Sequence, residues 1–204
     1  MQQSPLSYRT IAKTAEGLYR EKGSRFLAFA YPVTSELEVK EYLAALHKKY
    51  YDARHHCFAW ILGTTRRSFR AFDDGEPNHS AGDPILGQIR SRDLTNVLVV
   101  VVRYFGGVKL GVGGLVSAYK TAAEEALNAA EIVEREITDA ITITYDYEAT
   151  PDVMRLVKDY DLHITGQKFE AECELVADYK IKHREKLLER LSLMQATGVK
   201  LRVS

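Results

Sequence analysis

The stretch NVLVVVVRYFGGVKLGVGGLVSAY, residues 96–119, decides the reading of this chain. Thr95–Val102 is a continuous run of apolar, mostly β-branched residues. Such runs belong to central strands buried on both faces, so helices or loops are expected on either side of a sheet. The strand gives way to Arg103–Gly114, where five of twelve residues are glycine. Glycine lets backbone N–H groups approach a ligand closely, and the start of a helix favours anions. Arg103 and Lys109 add positive charge there, so a phosphate-containing ligand or a nucleic-acid backbone is the natural guest. The nucleotide fingerprints are nevertheless absent: there is no G-x-x-x-x-G-K-[ST], and Val116 stands where the third glycine of G-x-G-x-x-G belongs. A helix over about Leu115–Val133 should follow, packing Leu115, Tyr119, Ala122, Ala123, Ala126 and Ala130 inward.

Upstream, Ser7–Thr14 and Arg25–Val33 read as strands, and Ser35 with Glu38 reads as the cap of a helix reaching about Tyr50. His56–Leu62 and Ser68–Phe72 read as a hairpin around residues 63–67. Asp83-Pro84 reads as the cap and first residue of a short helix ending near Arg90. Downstream, residues 137–147 alternate, with Ile137, Ile141, Ile143, Tyr145 and Tyr147 on one face. Thr150-Pro151 opens a helix with the stripe Val153, Leu156, Val157 and Tyr160. Two strands follow, about Leu162–Phe169 and Glu172–Ala177. Asp178 then caps a helix with the stripe Ile181, Leu187, Leu188, Leu191 and Met194, and Val199–Val203 forms a last strand. This order is the split βαβ, ferredoxin-like pattern. The chain is therefore expected to be α+β with two domains, residues 1–136 and 137–204.

The 204 residues hold 28 Lys and Arg against 28 Asp and Glu, with 46% apolar residues. Whole-chain disorder and a globally basic nucleic-acid binder are both excluded. Charge is uneven, however. Residues 1–120 carry 17 basic against 11 acidic side chains, and residues 121–140 carry one against six. A basic face on the first domain is the expectation. The longest apolar run is far short of the ~20 residues of a membrane span, the first residues lack a secretory pattern, and two distant cysteines make no disulfide framework. A cytoplasmic setting is expected, with no membrane, metal or cofactor.

Three further segments bear on chemistry. Asp73-Asp74-Gly75-Glu76-Pro77 places three carboxylates within four residues, suited to binding a hard cation, to organising the glycine loop by docking against Arg103, or to capping the next helix. In Arg54-His55-His56-Cys57, His55 and Cys57 share one strand face. His55 reads as a hydrogen-bonded residue at the rim of the site, since neither a zinc site nor a Cys–His nucleophile assembles from so few ligands. Lys22-Gly23-Ser24-Arg25-Phe26 adds basic residues, with Tyr104 and Phe105 as stacking partners for bases. The candidate binding residues are thus Arg103, Tyr104, Gly106, Gly107, Lys109, Gly111, Arg25 and His55, organised by Asp73, Asp74 and Glu76, with no catalytic residue among them.

KGSRF (22–26), ARHHCFAW (53–60), DDGEP with Ala81-Gly82, and above all residues 96–119 together resemble the IMPACT/YigZ family. The match runs over roughly residues 8–130. Asn78-His79-Ser80 precedes Ala81-Gly82 where the family commonly has Gly-Thr-Ala-Gly, so His79 replaces a glycine. His56 stands where the family often has asparagine. The resemblance implies a first domain like domain 2 of ribosomal protein S5 and a ferredoxin-like second domain similar to the terminal domain of elongation factor G. It also implies a role in translation, because eukaryotic IMPACT proteins act in translation control by binding a ribosome-associated activator of an initiation-factor kinase. The resulting expectation is a non-catalytic regulator that binds RNA, the ribosome or a translation-associated protein. The alternatives are an enzyme acting on a phosphorylated or nucleotide small molecule between DDGEP and RYFGG, and a protein-interaction module with a purely structural glycine loop.

Overall fold

A computed structural model of the chain describes residues 6–204. The chain forms two α+β units, Ser7–Arg135 and, with Leu6, Glu136–Ser204. The first contains an antiparallel sheet of five strands: β2 (Ala15–Glu21), β3 (Ser24–Pro32), β4 (His55–Leu62), β5 (Ser68–Phe72) and β6 (Val97–Tyr104). Their order is β2-β3-β6-β4-β5. The central position of β6 follows from its composition. Every residue from Val97 to Val102 is fully buried, because α1 (Glu36–Lys49) covers one face while α2 (Gly82–Ser91) and α3 (Gly111–Asn128) cover the other. Ser35 caps α1 by accepting from the Glu38 N–H at 3.3 Å, and Glu38 reaches back to the Thr34 N–H at 2.5 Å.

The N-terminal strand expectation is corrected. The strand expected over Ser7–Thr14 ends at Ile11 as β1 (Ser7–Ile11), which leaves the main sheet to pair with β7 (Ile132–Glu136), and β2 is a separate strand absent from the sequence reading. Ala12 N donates to Glu131 O at 2.8 Å beside that ladder. The same pairing shortens the expected helix over 115–133. α3 starts at Gly111 and stops at Asn128, and the β-branched Ile132 and Val133 join a strand instead. The expected inner face of α3 is buried from Leu115 to Ala126, and Ala130 lies beyond the helix. A Cβ on Gly17 would come within 2.4 Å of Ala126 N, so α3 lies directly on β2. α2 is also corrected: Ala81, not Asp83, holds its cap position.

The second unit has β8 (Thr138–Tyr145), α4 (Thr150–Asp159), β9 (His163–Phe169), β10 (Cys173–Lys180), α5 (Arg184–Ala196) and β11 (Leu201–Val203). The sheet order β11-β8-β10-β9 with all pairs antiparallel is the ferredoxin-like arrangement. Several details differ from the sequence reading. Of the stripe expected on the last helix, Ile181 falls in a single turn before α5 and Leu188 is 41% exposed. Tyr147 falls in a single turn after β8 and is 76% exposed. Asp178 stays inside β10, because the alternation that buries Ala177 also buries Tyr179, and strand pairing wins over capping.

Candidate functional site at the first turn of α3

β4 and β6 are antiparallel, with His55 opposite Arg103 and Cys57 opposite Val101. His55, Cys57 and Arg103 thus share the sheet face covered by α2 and α3. The acidic loop folds over this end. Asp73 accepts through Oδ1 from the N–H groups of Ala81 and Gly82 at 3.0 and 2.8 Å, and through Oδ2 from the His79 N–H at 2.8 Å. This distant carboxylate caps α2, which explains why Asp83 is free to pair with His79 at 2.6 Å. His79 sits at φ +64°, a backbone region that favours glycine and in which histidine is one of the more tolerated residues. Asp74 accepts from the His56 N–H at 2.7 Å. Its carbonyl lies 2.8 Å from His55 Nδ1, which must therefore carry the proton.

The loop delivers Glu76 into the interior, 8% exposed. Glu76 Oε1 accepts from Arg103 Nη1 at 2.5 Å and from the Tyr119 hydroxyl at 2.7 Å. Cys57 Sγ lies 3.0 Å from Asp73 O and 3.3 Å from the Tyr119 oxygen. Burial pushes the Cys57 thiol and the Tyr119 hydroxyl well above their usual ranges, so both stay protonated. The Arg103 guanidinium lies between the rings of Phe26 and Phe105, 5.4 and 5.8 Å from their centres.

Arg103 is therefore not the solvent-facing cation that the glycine loop suggests. It is 6% exposed and paired with Glu76. The docking of the acidic loop onto Arg103 is as expected from the sequence; the openness of Arg103 is not. Arg25 and Tyr104 stand apart, on the α1 face of the sheet. Arg25 lies over the Tyr104 ring at 4.9 Å. The Tyr104 hydroxyl donates to Asp52 at 2.7 Å, which pushes its pKa to about 12. Tyr119 and Cys57 complete the buried network, and sequence reasoning assigned both to the core. The signal for Tyr119 was a hydroxyl interrupting an otherwise alanine-rich helix face.

Gly106 packs backbone to backbone on the Lys22–Arg25 turn. A Cβ there would come within 1.9 Å of Gly23 C and 2.1 Å of Ser24 N. The Gly106 N–H also donates to Ser24 Oγ at 3.1 Å. Gly107 and Gly111 take φ +87° and +73°. α3 then begins without any side-chain cap. Its first turn, Lys109 (exposed), Phe105, Arg103 and Glu76 border a cleft of about 310 Å³.

His56 pleats the other way, toward α1. It is 3% exposed, with its ring 4.0 Å from that of His47 and Nε2 unpartnered. Burial, then the neighbouring His47, lower its pKa below the usual 6.5. The unfolded chain therefore takes up a proton as pH falls through 6.5 while the folded chain resists. Stability present above that pH declines below it. His56→Asn should flatten this decline in melting curves between pH 7.5 and 5. An unchanged acid-side slope would assign it to other groups.

An α+β frame in which an acidic loop anchors an arginine beneath a glycine-rich helix start defines a particular class of two-domain protein. The chain belongs to the IMPACT family. The family model described as the Impact N-terminal domain matches residues 22–127. The IMPACT family member YvyE of Bacillus subtilis is 37% identical over 69% of this chain and 65% of its own length. The IMPACT family member YigZ of Escherichia coli is 32% identical over 74% of both chains. A crystal structure described as that of a hypothetical protein superposes with a TM-score of 0.77 at 26% identity, covering 97% of each chain.

Proposed function

We propose that the protein is a non-catalytic, translation-associated factor whose first domain contacts RNA. The translation role rests on the family and on what its eukaryotic members do. The RNA contact rests on one observation: the backbone packing of Gly106 on Gly23 joins the Lys22–Arg25 turn to the glycine loop. Lys22, Arg25 and Lys109 are exposed on these two segments, Arg25 over the Tyr104 ring on the α1 face and Lys109 at the cleft with the exposed Phe105 ring. Cations beside an accessible aromatic ring suit a single-stranded backbone and its bases. A non-catalytic reading agrees with the buried network, where Glu76 is spent on two donors and Cys57 remains a thiol.

The test is fluorescence anisotropy with a short single-stranded RNA at 50 and 200 mM salt. Each phosphate contact on a single strand contributes roughly −0.7 to the log–log salt slope, so three cations give roughly a twentyfold loss over this range. Lys22→Ala with Arg25→Ala should flatten the slope by roughly 0.7 per cation removed. Binding indifferent to salt, or to both substitutions, would overturn the reading.

A further inference from the structure

We infer that the cleft at the first turn of α3 is a pocket for a terminal phosphate group. The helix is 18 residues long and begins at Gly111 with no side chain capping it. Its leading N–H groups are free, and they carry the positive end of the helix dipole. A helix start alone would be too common to mean anything. Here a second feature borders the same cleft: Arg103, more than nine-tenths buried, makes one hydrogen bond through Nη1 and leaves Nε without a partner among the described residues. A buried guanidinium normally has its donors satisfied, so an orphaned one beside a cleft points to a missing acceptor.

Lys109 stands at the rim. Among the described residues, the one acid bordering the cleft is Glu76, whose Oε1 already accepts from both Arg103 and Tyr119. Two cations and the helix start therefore outweigh one engaged carboxylate. The depth of Arg103 selects the ligand. An internal phosphodiester carries a sugar on each side and stays at the rim, whereas a terminal phosphate enters with its free oxygens leading. Phe105, 54% exposed, and Val112, 57% exposed, offer an apolar wall for the attached group. The inference deepens the RNA reading only in the source of the phosphate, which is an RNA 5′ end or a free nucleotide.

Val112→Asp is the decisive variant. The side chain is exposed and borders the cleft, and aspartate is favourable in the first turn of a helix. The fold should keep or gain stability while the new carboxylate repels a phosphate. The full chain is titrated, by amide NMR and calorimetry, with inorganic phosphate, uridine 5′-monophosphate, and hexauridylate with and without a 5′-phosphate. Saturable shifts in the amides of Gly111, Val112 and Gly113 are expected with the three phosphate-bearing probes and not with the 5′-hydroxyl oligomer. Val112→Asp and Lys109→Ala should each weaken binding about tenfold or more, while Val112→Thr retains it. Stronger binding of the phosphorylated oligomer than of the mononucleotide identifies an RNA end, and equal binding identifies a free nucleotide. The pocket is overturned if phosphate leaves these amides unmoved, if Val112→Asp binds like the parent, or if both oligomers shift them alike. Salt-dependent RNA binding that survives Val112→Asp would leave the surface reading standing without the pocket.

Discussion

Arg103→Met should destabilise the first domain by about 3–5 kcal/mol, the usual penalty for stranding one partner of a buried ion pair. Both side chains of the Arg103–Glu76 pair are under a tenth exposed. Without the guanidinium, the carboxylate keeps one Tyr119 hydrogen bond and no countercharge, at a side-chain exposure of only 5%. Adding Glu76→Gln removes the stranded charge while leaving an oxygen for Tyr119, so the double variant should recover much of the loss, with a coupling of about 1–3 kcal/mol. The single tryptophan, Trp60, is buried in β4. Urea unfolding followed by its fluorescence therefore reports on this domain alone. A loss below about 1 kcal/mol for Arg103→Met would mean that the pair is a surface-like contact of little worth.

The second large effect belongs to Gly106→Ala. The added methyl would sit 1.9 Å from one backbone atom of the Lys22–Arg25 turn and 2.1 Å from another, and backbone cannot swing aside as a side chain can. The domain must part β3 from the end of β6 or lose the turn. A cost of about 3 kcal/mol or more is expected, at the upper end of overpacking effects. Gly107→Ala is the informative control. Gly107 has φ +87° but open space around it, so alanine there meets backbone strain only, about 1–2 kcal/mol. The Trp60 unfolding curve distinguishes them; a Gly106→Ala loss no greater than that of Gly107→Ala would show that the turn yields easily.

Local features were legible in the chain. The Val97–Val102 run announced a central strand, Ser35 and Glu38 announced a helix start, and alternation from Ile141 to Tyr145 announced a half-buried strand. What stayed hidden depends on partners distant in sequence. β1 and β7 are short and become strands only because they find each other across more than 120 residues. Asp73 caps a helix nine residues away whose own cap residue, Ala81, has no polar side chain. The fate of Arg103 was the most instructive case. An arginine entering a glycine loop reads as an open cation until the position of Glu76, 27 residues earlier, is known. Burial of the pair is a property of the loop crossing, and no local periodicity encodes it.

The β1–β7 ladder has a consequence for how such a protein is assembled. Leu6 and Glu136 both belong to the ferredoxin-like unit, with Ile137 N donating to Leu6 O at 2.9 Å. Everything between them departs and returns along two strands lying side by side. The first domain is thus a parenthesis, closed by its own bracket of hydrogen bonds, and its termini would need only a short splice to join. New ends opened at the Gly63–Arg67 bend would interrupt a turn and spare the sheet interior.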